Sequence, residues 1–404
     1  MTNLYIKSLH TLLNELHAAR KSPYNNIQKW FYLQLKLLKK IKYIEGRIRE
    51  SKKNIIQLKK DLNTPMRFTS KTESTKAKTQ IDLKSKRINE YGFLLLCFKS
   101  IADGIAFTFI DKYDIKPQNF KESPGFITGK EGLRMELKNF KYFFKSGMIA
   151  ILNDLTSVLK YNDITILTPN GFVAIEVKSS LVDSPRIQRQ RIKSNSLLNY
   201  LHTDETNELY GQKGNFIRRS LDSPEKNFSE KFNRIIKKSR EIGLAHQLLE
   251  PGLVYFVCHY TNEIDKVLDG IKERYKLQKP IFHLLNSNQL NGLGYYPHSL
   301  SLKTQNYLEL LNGNCFGLII FDLVRAEHIA KEKGYTVQFD NSKDWALEFY
   351  STEGEMVTAM SYHLFGRIFN EFISAKQIIE AGFILYDQML KEFDNSSESP
   401  PPSL

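Results

Sequence analysis

Residues 162–178 read NDITILTPNGFVAIEVK. Two apolar runs, Asn162–Leu167 and Phe172–Lys178, flank Thr168-Pro169-Asn170-Gly171. The runs have the period of two expected of strands, and Pro-Asn-Gly is turn chemistry, so the stretch is predicted to be a β-hairpin. If Pro169 and Asn170 form the turn, Asp163 faces Glu176, with Cβ atoms about 5 Å apart. If Asn170 and Gly171 form it, Asp163 faces Lys178. Glu176 and Lys178 are two residues apart and share a face, while Ile175 and Val177 point the other way, into a core. Three charged groups therefore meet at one end of an otherwise apolar hairpin.

Two close carboxylates repel each other, and a divalent metal is one way to hold them. Mg²⁺ takes oxygen ligands. Asp163, Glu176 and the backbone carbonyl of Val177 are the candidate ligands. A metal lowers the pKa of its water, and Lys178 is placed to orient that nucleophile or to stabilise charge developing on phosphate. The chemistry served is phosphodiester hydrolysis. The plain alternative is a surface hairpin with a cross-strand ion pair, since Glu-x-Lys alone is common.

At these residues the chain resembles the PD-(D/E)xK, or restriction-endonuclease-like, superfamily. That family has an aspartate at the start of one core strand and Glu-x-Lys on the next. Asn162-Asp163 and Glu176-Val177-Lys178 match, Ser179-Ser180 continues as in many members, and the usual proline before the aspartate is missing. The resemblance covers about 92–205. It implies an α–β–β–β–α–β core with a mixed sheet, dependence on Mg²⁺ or Mn²⁺, and DNA as substrate ahead of RNA. It also implies an acidic residue upstream, for which Asp103, Glu131, Glu136 and Asp154 are candidates. Asp103 lies in a very apolar helix, where an unpaired carboxylate is costly, so a functional or paired role is expected. Asp154 reads first as a helix cap. Some members carry a glutamine on the helix after Glu-x-Lys, and Gln190 is preferred here over Gln188 among Arg186–Arg191.

The charge of the chain is uneven. Residues 1–92 hold 21 Lys and Arg against 7 Asp and Glu, an excess equal to the whole-chain +14. The rest is balanced. Such asymmetry suits a polyanion, nucleic acid first and an acidic membrane surface second, or else a solvated helix face built on lysine. Within 27–62 a heptad seam runs through Ile27, Gln34, Ile41, Ile48, Ile55 and Leu62, with Trp30, Leu37, Ile44, Ser51 and Leu58 at the second position. This predicts a helix of roughly 50 Å. It breaks at Asn63-Thr64-Pro65, and periodicity resumes at Ile81, Ile88 and Leu95. An antiparallel hairpin over 25–95 is expected, with a dimeric coiled coil as rival.

The fold class expected is α/β: a basic helical hairpin (1–91), the nuclease-like core (92–215), a C-terminal α/β region (216–392) and an unpacked tail (393–404). Within the core, 92–113 is a buried helix, 114–130 a loop, 131–160 mainly helix, and 186–200 a basic helix. Beyond it, helices are expected at 224–249, 263–277, 323–333 and 363–392. Strands are expected at 253–258 and 316–321, with a hairpin near 352–354. No run approaches the roughly 18 apolar residues of a membrane span, no signal peptide is seen, and three scattered cysteines read as buried thiols of a cytoplasmic protein. No histidine pair has ligand spacing on one element.

Three functions stay open. The first is a nuclease in restriction or anti-phage defence, acting on DNA and homodimeric if both strands are cut. The second is a nucleic-acid-binding or assembly protein with an inactive nuclease-like scaffold. The third is a nuclease, for RNA included, gated by a partner protein. No phosphate-binding Gly-x-x-x-x-Gly-Lys loop occurs, so any ATP-driven step belongs to another subunit.

Overall fold

The structure is a computed structural model and describes residues 3–64, 70–119, 125–168, 171–177, 185–210, 212–218, 224–260, 263–286, 294–339 and 345–395. It is mixed α/β, with a helical N-terminal region and several small antiparallel sheets. The chain divides into two compact units, residues 1–216 with 288–300, and residues 217–287 with 301–404.

In the first unit, helices α1 (Asn3–Arg20), α2 (Ile27–Asn63) and α3 (Lys71–Phe109) pack together. Trp30, Leu37, Ile41, Ile44 and Ile48 of the α2 seam are buried, while Ile55 and Leu58 are only half so. A capping box starts α3: Ser70 Oγ accepts the Glu73 N–H and Glu73 Oε2 accepts the Ser70 N–H. Trp30 and Tyr24 meet Phe109 edge-on, so the start of α2 lies by the end of α3 and the pair is an antiparallel hairpin. One helix runs unbroken through 71–109, so the division expected at residue 91 falls inside α3. Its C-terminal half is an 18-residue stretch apolar enough by composition to cross a membrane, with mean hydropathy 1.6, and 61% of it is buried in the fold. The composition of a core helix accounts for it.

A short helix α4 (Lys112–Ile115) follows, then α5 (Leu133–Lys145), and strands β1 (Ile149–Leu152), β2 (Ile164–Thr168) and β3 (Gly171–Ile175). The expected helix over 131–160 thus ends early. Gly147, at φ +76°, lets Met148 N–H reach back to Phe143 O, which closes α5 and turns the buried run Ile149–Leu152 into a strand. The three strands form an antiparallel sheet in the order β1-β2-β3. The mixed sheet expected of the core is not found among the described residues. Helix α6 (Pro185–Thr203) and the hairpin of β4 (Glu205–Leu209) and β5 (Gln212–Ile217) come next, and β4 pairs with β5 rather than with β1–β3.

Helix α2 docks on this sheet through a side chain that its heptad seam disguises. Gln34 is fully buried, donates Nε2–H to Ala150 O at 2.8 Å and accepts Leu152 N–H at 3.0 Å. It satisfies the outer edge of β1, which has no strand beyond it among the described residues.

The second unit holds α7 (Ser229–Ile242), β6 (Leu244–Glu250), β7 (Leu253–Cys258), α8 (Ile264–Tyr275), β8 (Pro280–Leu284), α10 (Thr304–Asn312), β9 (Phe316–Asp322), α11 (Leu323–Glu332), β10 (Thr336–Phe339), β11 (Trp345–Tyr350), β12 (Met356–Ser361), α12 (Tyr362–Asn370) and α13 (Ala375–Asn395); a single turn, α9 (His298–Ser301), precedes α10. Strands β6-β7-β9-β8 make one antiparallel sheet and β10-β11-β12 another. Two expected helices are shorter. The helix at 224–249 gives way after Ile242 to β6, and the C-terminal helix is split at 371–374, where Phe228 N–H bonds to Phe372 O. Buried Arg367 sits between Glu225 and Glu371. The tail 396–404 lies outside the described residues.

Replacing Gln34 by Leu keeps the volume and strands two edge groups of β1. Chemical denaturation should show a loss of about 1–3 kcal/mol, against less than about 0.5 kcal/mol for exposed Gln57→Leu. Equal losses would show that Gln34 does not anchor the sheet.

Candidate functional site

Three carboxylates from three elements converge on one ammonium. Lys130 Nζ lies 2.9 Å from Glu136 Oε1, 2.8 Å from Asp154 Oδ2 and 2.8 Å from Asp163 Oδ1. Glu136 stands on the first turn of α5, in one stripe with buried Phe140 and Phe144, which pack on Phe31 of α2. Asp154 lies in a 3₁₀ turn directly after β1. Asp163 immediately precedes β2.

Buried Asn153 ties the last two together. Its backbone N–H donates to Asp163 O at 3.0 Å, its Nδ2–H to Tyr161 O at 2.8 Å, and its Oδ1 accepts from Thr165 Oγ1 at 2.9 Å. Asn162, at φ +63°, turns the chain into β2 and pairs its amide with Ser194 Oγ of α6. Lys130 sits on a turn closed by its own N–H to Ile127 O. Gly129, at φ +80°, makes that turn possible, and a Cβ there would meet Arg49 Nη1 at 2.6 Å. The turn is fastened to α2: Thr128 N–H donates to Glu45 Oε2 at 2.7 Å, Thr128 Oγ1 to Lys42 O at 3.2 Å, and Arg49 and Lys52 lie over the Phe126 ring.

The register of the hairpin is settled by Ile164 pairing with Ile175 and Thr168 with Gly171. One step further sets Asp163 against Glu176, the first of the two alternatives. Asp163 N–H bonds to Ile175 O, and Asp163 Oδ2 accepts Val177 N–H at 2.8 Å. Val177 thus meets the cluster through its N–H, where its carbonyl was the candidate ligand. Lys178 lies outside the described residues. Gln190 and Gln188 fall on α6, with their side chains outside what is described.

Among the candidates for the upstream acid, Glu136 and Asp154 join Asp163, while Glu131 and Asp103 do not. Asp154 is no helix cap: it pairs with Lys130. Asp103 is paired instead with Ser157, whose N–H and Oγ–H reach its two oxygens at 2.6 and 2.5 Å. Lys130, Asn153 and Gln34 had no signal in the sequence beyond residue type.

Burial raises the Glu136 carboxyl, and neighbouring Asp163 and Asp154 add to that against the pull of Lys130. Burial works against the charged form of Lys130 too, but its bonds to Asp154, Asp163 and Glu136 outweigh it and hold the ammonium far above its ordinary range. With Lys130 the three carboxylates leave a formal excess of negative charge. All their free oxygens are hard donors, the kind Mg²⁺ and Mn²⁺ take. The donor set fits a divalent cation.

Next to Lys130 a cleft of about 540 Å³ is lined by Lys42 of α2, by Lys130 and Glu131, and by Arg134, Lys138 and Lys141 of α5. Apart from Lys130 these basic side chains belong to exposed residues. The cleft offers a row of cations next to a site that collects anionic side chains.

In the second unit His259, Glu309 and Cys315 bring ligand atoms within 4.8 Å of one another, a grouping spread over 57 residues that spacing on one element cannot reveal. Arg240 takes both oxygens of Glu309, at 2.9 and 2.7 Å. Burial, and then the nearby Glu309 carboxylate, push the Cys315 thiol up to about 12. Arg240 and Glu309 thus form a half-buried ion pair within this grouping. All three cysteines are free and buried.

Comparison of the chain with protein-family models, with curated proteins and with solved structures finds no match.

Burial pushes the Asp103 carboxyl up to about 6, against the hydrogen bonds from Ser157 and the charge of Lys99. The folded state therefore holds a proton that the unfolded chain, with an ordinary aspartate near 3.9, releases earlier. Stability from this group is present below pH ~4 and falls as pH rises through about 6. Asp103→Asn should flatten the stability profile between those values in chemical denaturation. An unchanged slope would exclude Asp103 as its source.

Proposed function

We propose that the protein is a metal-dependent nuclease of the PD-(D/E)xK type that hydrolyses phosphodiester bonds, in DNA ahead of RNA. The observation that carries this is the convergence of Glu136, Asp154 and Asp163 on one point, with exposed Glu176 following the end of β3. The order α5–β1–β2–β3–α6 supports it, since it follows the α–β–β–β–α part of that family's succession, while β4 pairs with β5 and does not join the sheet. Restriction or anti-phage defence is the setting proposed, by family likeness. A homodimer would bring one site to each strand of a duplex.

Asp163, Glu136 and Asp154 would hold a Mg²⁺ or Mn²⁺ ion. When bound, such an ion supplies Lewis acidity and offsets the charge of the scissile phosphate. The protein's own residues do the rest. Lys42, Arg134, Lys138 and Lys141 of the cleft draw in the phosphate backbone, and Val177 N–H and Asn153 hold Asp163 in place. Lys178, next in the chain after Val177, is assigned the stabilisation of charge developing on the phosphate oxygens.

A second reading has the exposed lysines of α2 and α3 as the working surface and the carboxylate site as inactive. Both readings share the polyanion and part at cleavage. Supercoiled plasmid, single-stranded DNA and structured RNA should be incubated with Mg²⁺ or with EDTA. The expected result is metal-dependent cutting of DNA that falls at least about a hundredfold in Lys178→Ala and in Asp163→Asn. Binding without cutting of any of the three favours the second reading. Cutting that survives both substitutions sinks the site.

Affinity for DNA should also fall steeply between low and moderate salt. Each phosphate contact removed should lower the log–log slope by about 0.9, so Arg134→Gln with Lys138→Gln is expected to flatten it by nearly 2. A slope left unchanged would show that the cleft does not take the backbone.

A further inference from the structure

We propose that Lys130 is a built-in counter-ion that competes with the divalent cation for the carboxylate site, and that the basic helix α2 holds it there. The proposal rests on the metal-dependent reading above and concerns a residue which that reading leaves without a role.

Lys130 Nζ occupies the point on which Glu136, Asp154 and Asp163 converge, at 2.8–2.9 Å from each. Oxygens around an ammonium stand about 0.7 Å further out than oxygens around Mg²⁺, whose bonds are about 2.1 Å. One cluster cannot serve both at the same point. Either the ammonium withdraws or the cation is kept out. Lys99 does not pair with these carboxylates, because it gives its Nζ to the backbone carbonyls of Asp154 and Thr156.

The turn that carries Lys130 is not free to release it. Thr128 anchors the turn to α2 through Glu45 and Lys42, Phe126 lies under Arg49 and Lys52, and Gly129 lets Arg49 approach. The anchor keeps the local concentration of the ammonium high at the site, as any tether does for the group it carries. The same α2 residues, Lys42, Arg49 and Lys52, are cations that a phosphate backbone would engage. Substrate on α2 and the counter-ion in the site thus share one support, and the cation site opens where the turn is loosened.

The test is Mn²⁺ binding by the full chain, with free Mn²⁺ measured by electron paramagnetic resonance. Wild type, Lys130→Gln, Glu45→Ala and Asp163→Asn are compared, with folding checked by circular dichroism. Lys130→Gln is expected to bind Mn²⁺ at least about tenfold more tightly than wild type, because the competing charge is gone. Glu45→Ala should shift in the same direction by less, because the tether is loosened while Lys130 remains. Asp163→Asn should lose binding. Equal or weaker binding by Lys130→Gln overturns the proposal. Should Lys130→Gln fail to fold, unchanged binding by folded Glu45→Ala overturns it. Binding that ignores Asp163→Asn removes the metal site itself, a different failure that the Asp163 variant alone reports.

Discussion

The site in the first unit depends on the compensation of three carboxylates in one place. Glu136, Asp154 and Asp163 come from a helix, a turn and a strand edge, and Lys130 meets all three. Burying carboxylates is expensive unless each is paired, and leaving one buried partner alone costs about 3–5 kcal/mol. A protein that needed only a stable hairpin could place apolar side chains at these positions and be no less stable. The cluster therefore carries a desolvation cost that Lys130 offsets, and that cost is the reason to test it for a cation.

The scaffold that keeps this cluster together is mostly uncharged. Gln34 holds β1 against α2, Asn153 joins the Asp154 turn to the start of β2, and Asn162 with Ser194 ties that start to α6. Phe31, Phe140 and Phe144 fix α5, and with it Glu136. Each link is a short contact between elements of secondary structure, the kind of support that holds a cluster of side chains in place. Helix α2 does double service. It buttresses the sheet on one side and carries cations to the cleft on the other.

Much of this was legible in the sequence where the chemistry was local. The hairpin of β2 and β3, its register from Ile164–Ile175 to Thr168–Gly171 and the long helices followed from period and turn residues. Glu136 and Asp154 stood among four candidates, and only the fold could choose, because α5 and β1 reach Asp163 through tertiary packing. Lys130 left no trace: one lysine of many in a Gly-containing loop, paired across 6, 24 and 33 residues. Gln34 was hidden as a seam position, since a heptad marks burial and not what is buried against it. The run Ile149–Leu152 looked helical because four apolar residues carry no period of their own, and Gly147 decided it.

The most direct measurement of the central claim is anomalous diffraction from crystals of wild-type and Lys130→Gln protein soaked in Mn²⁺. The expected result is an anomalous peak among Glu136, Asp154 and Asp163, in the variant at the least. Mn²⁺ absent from those carboxylates in both crystals would contradict the account.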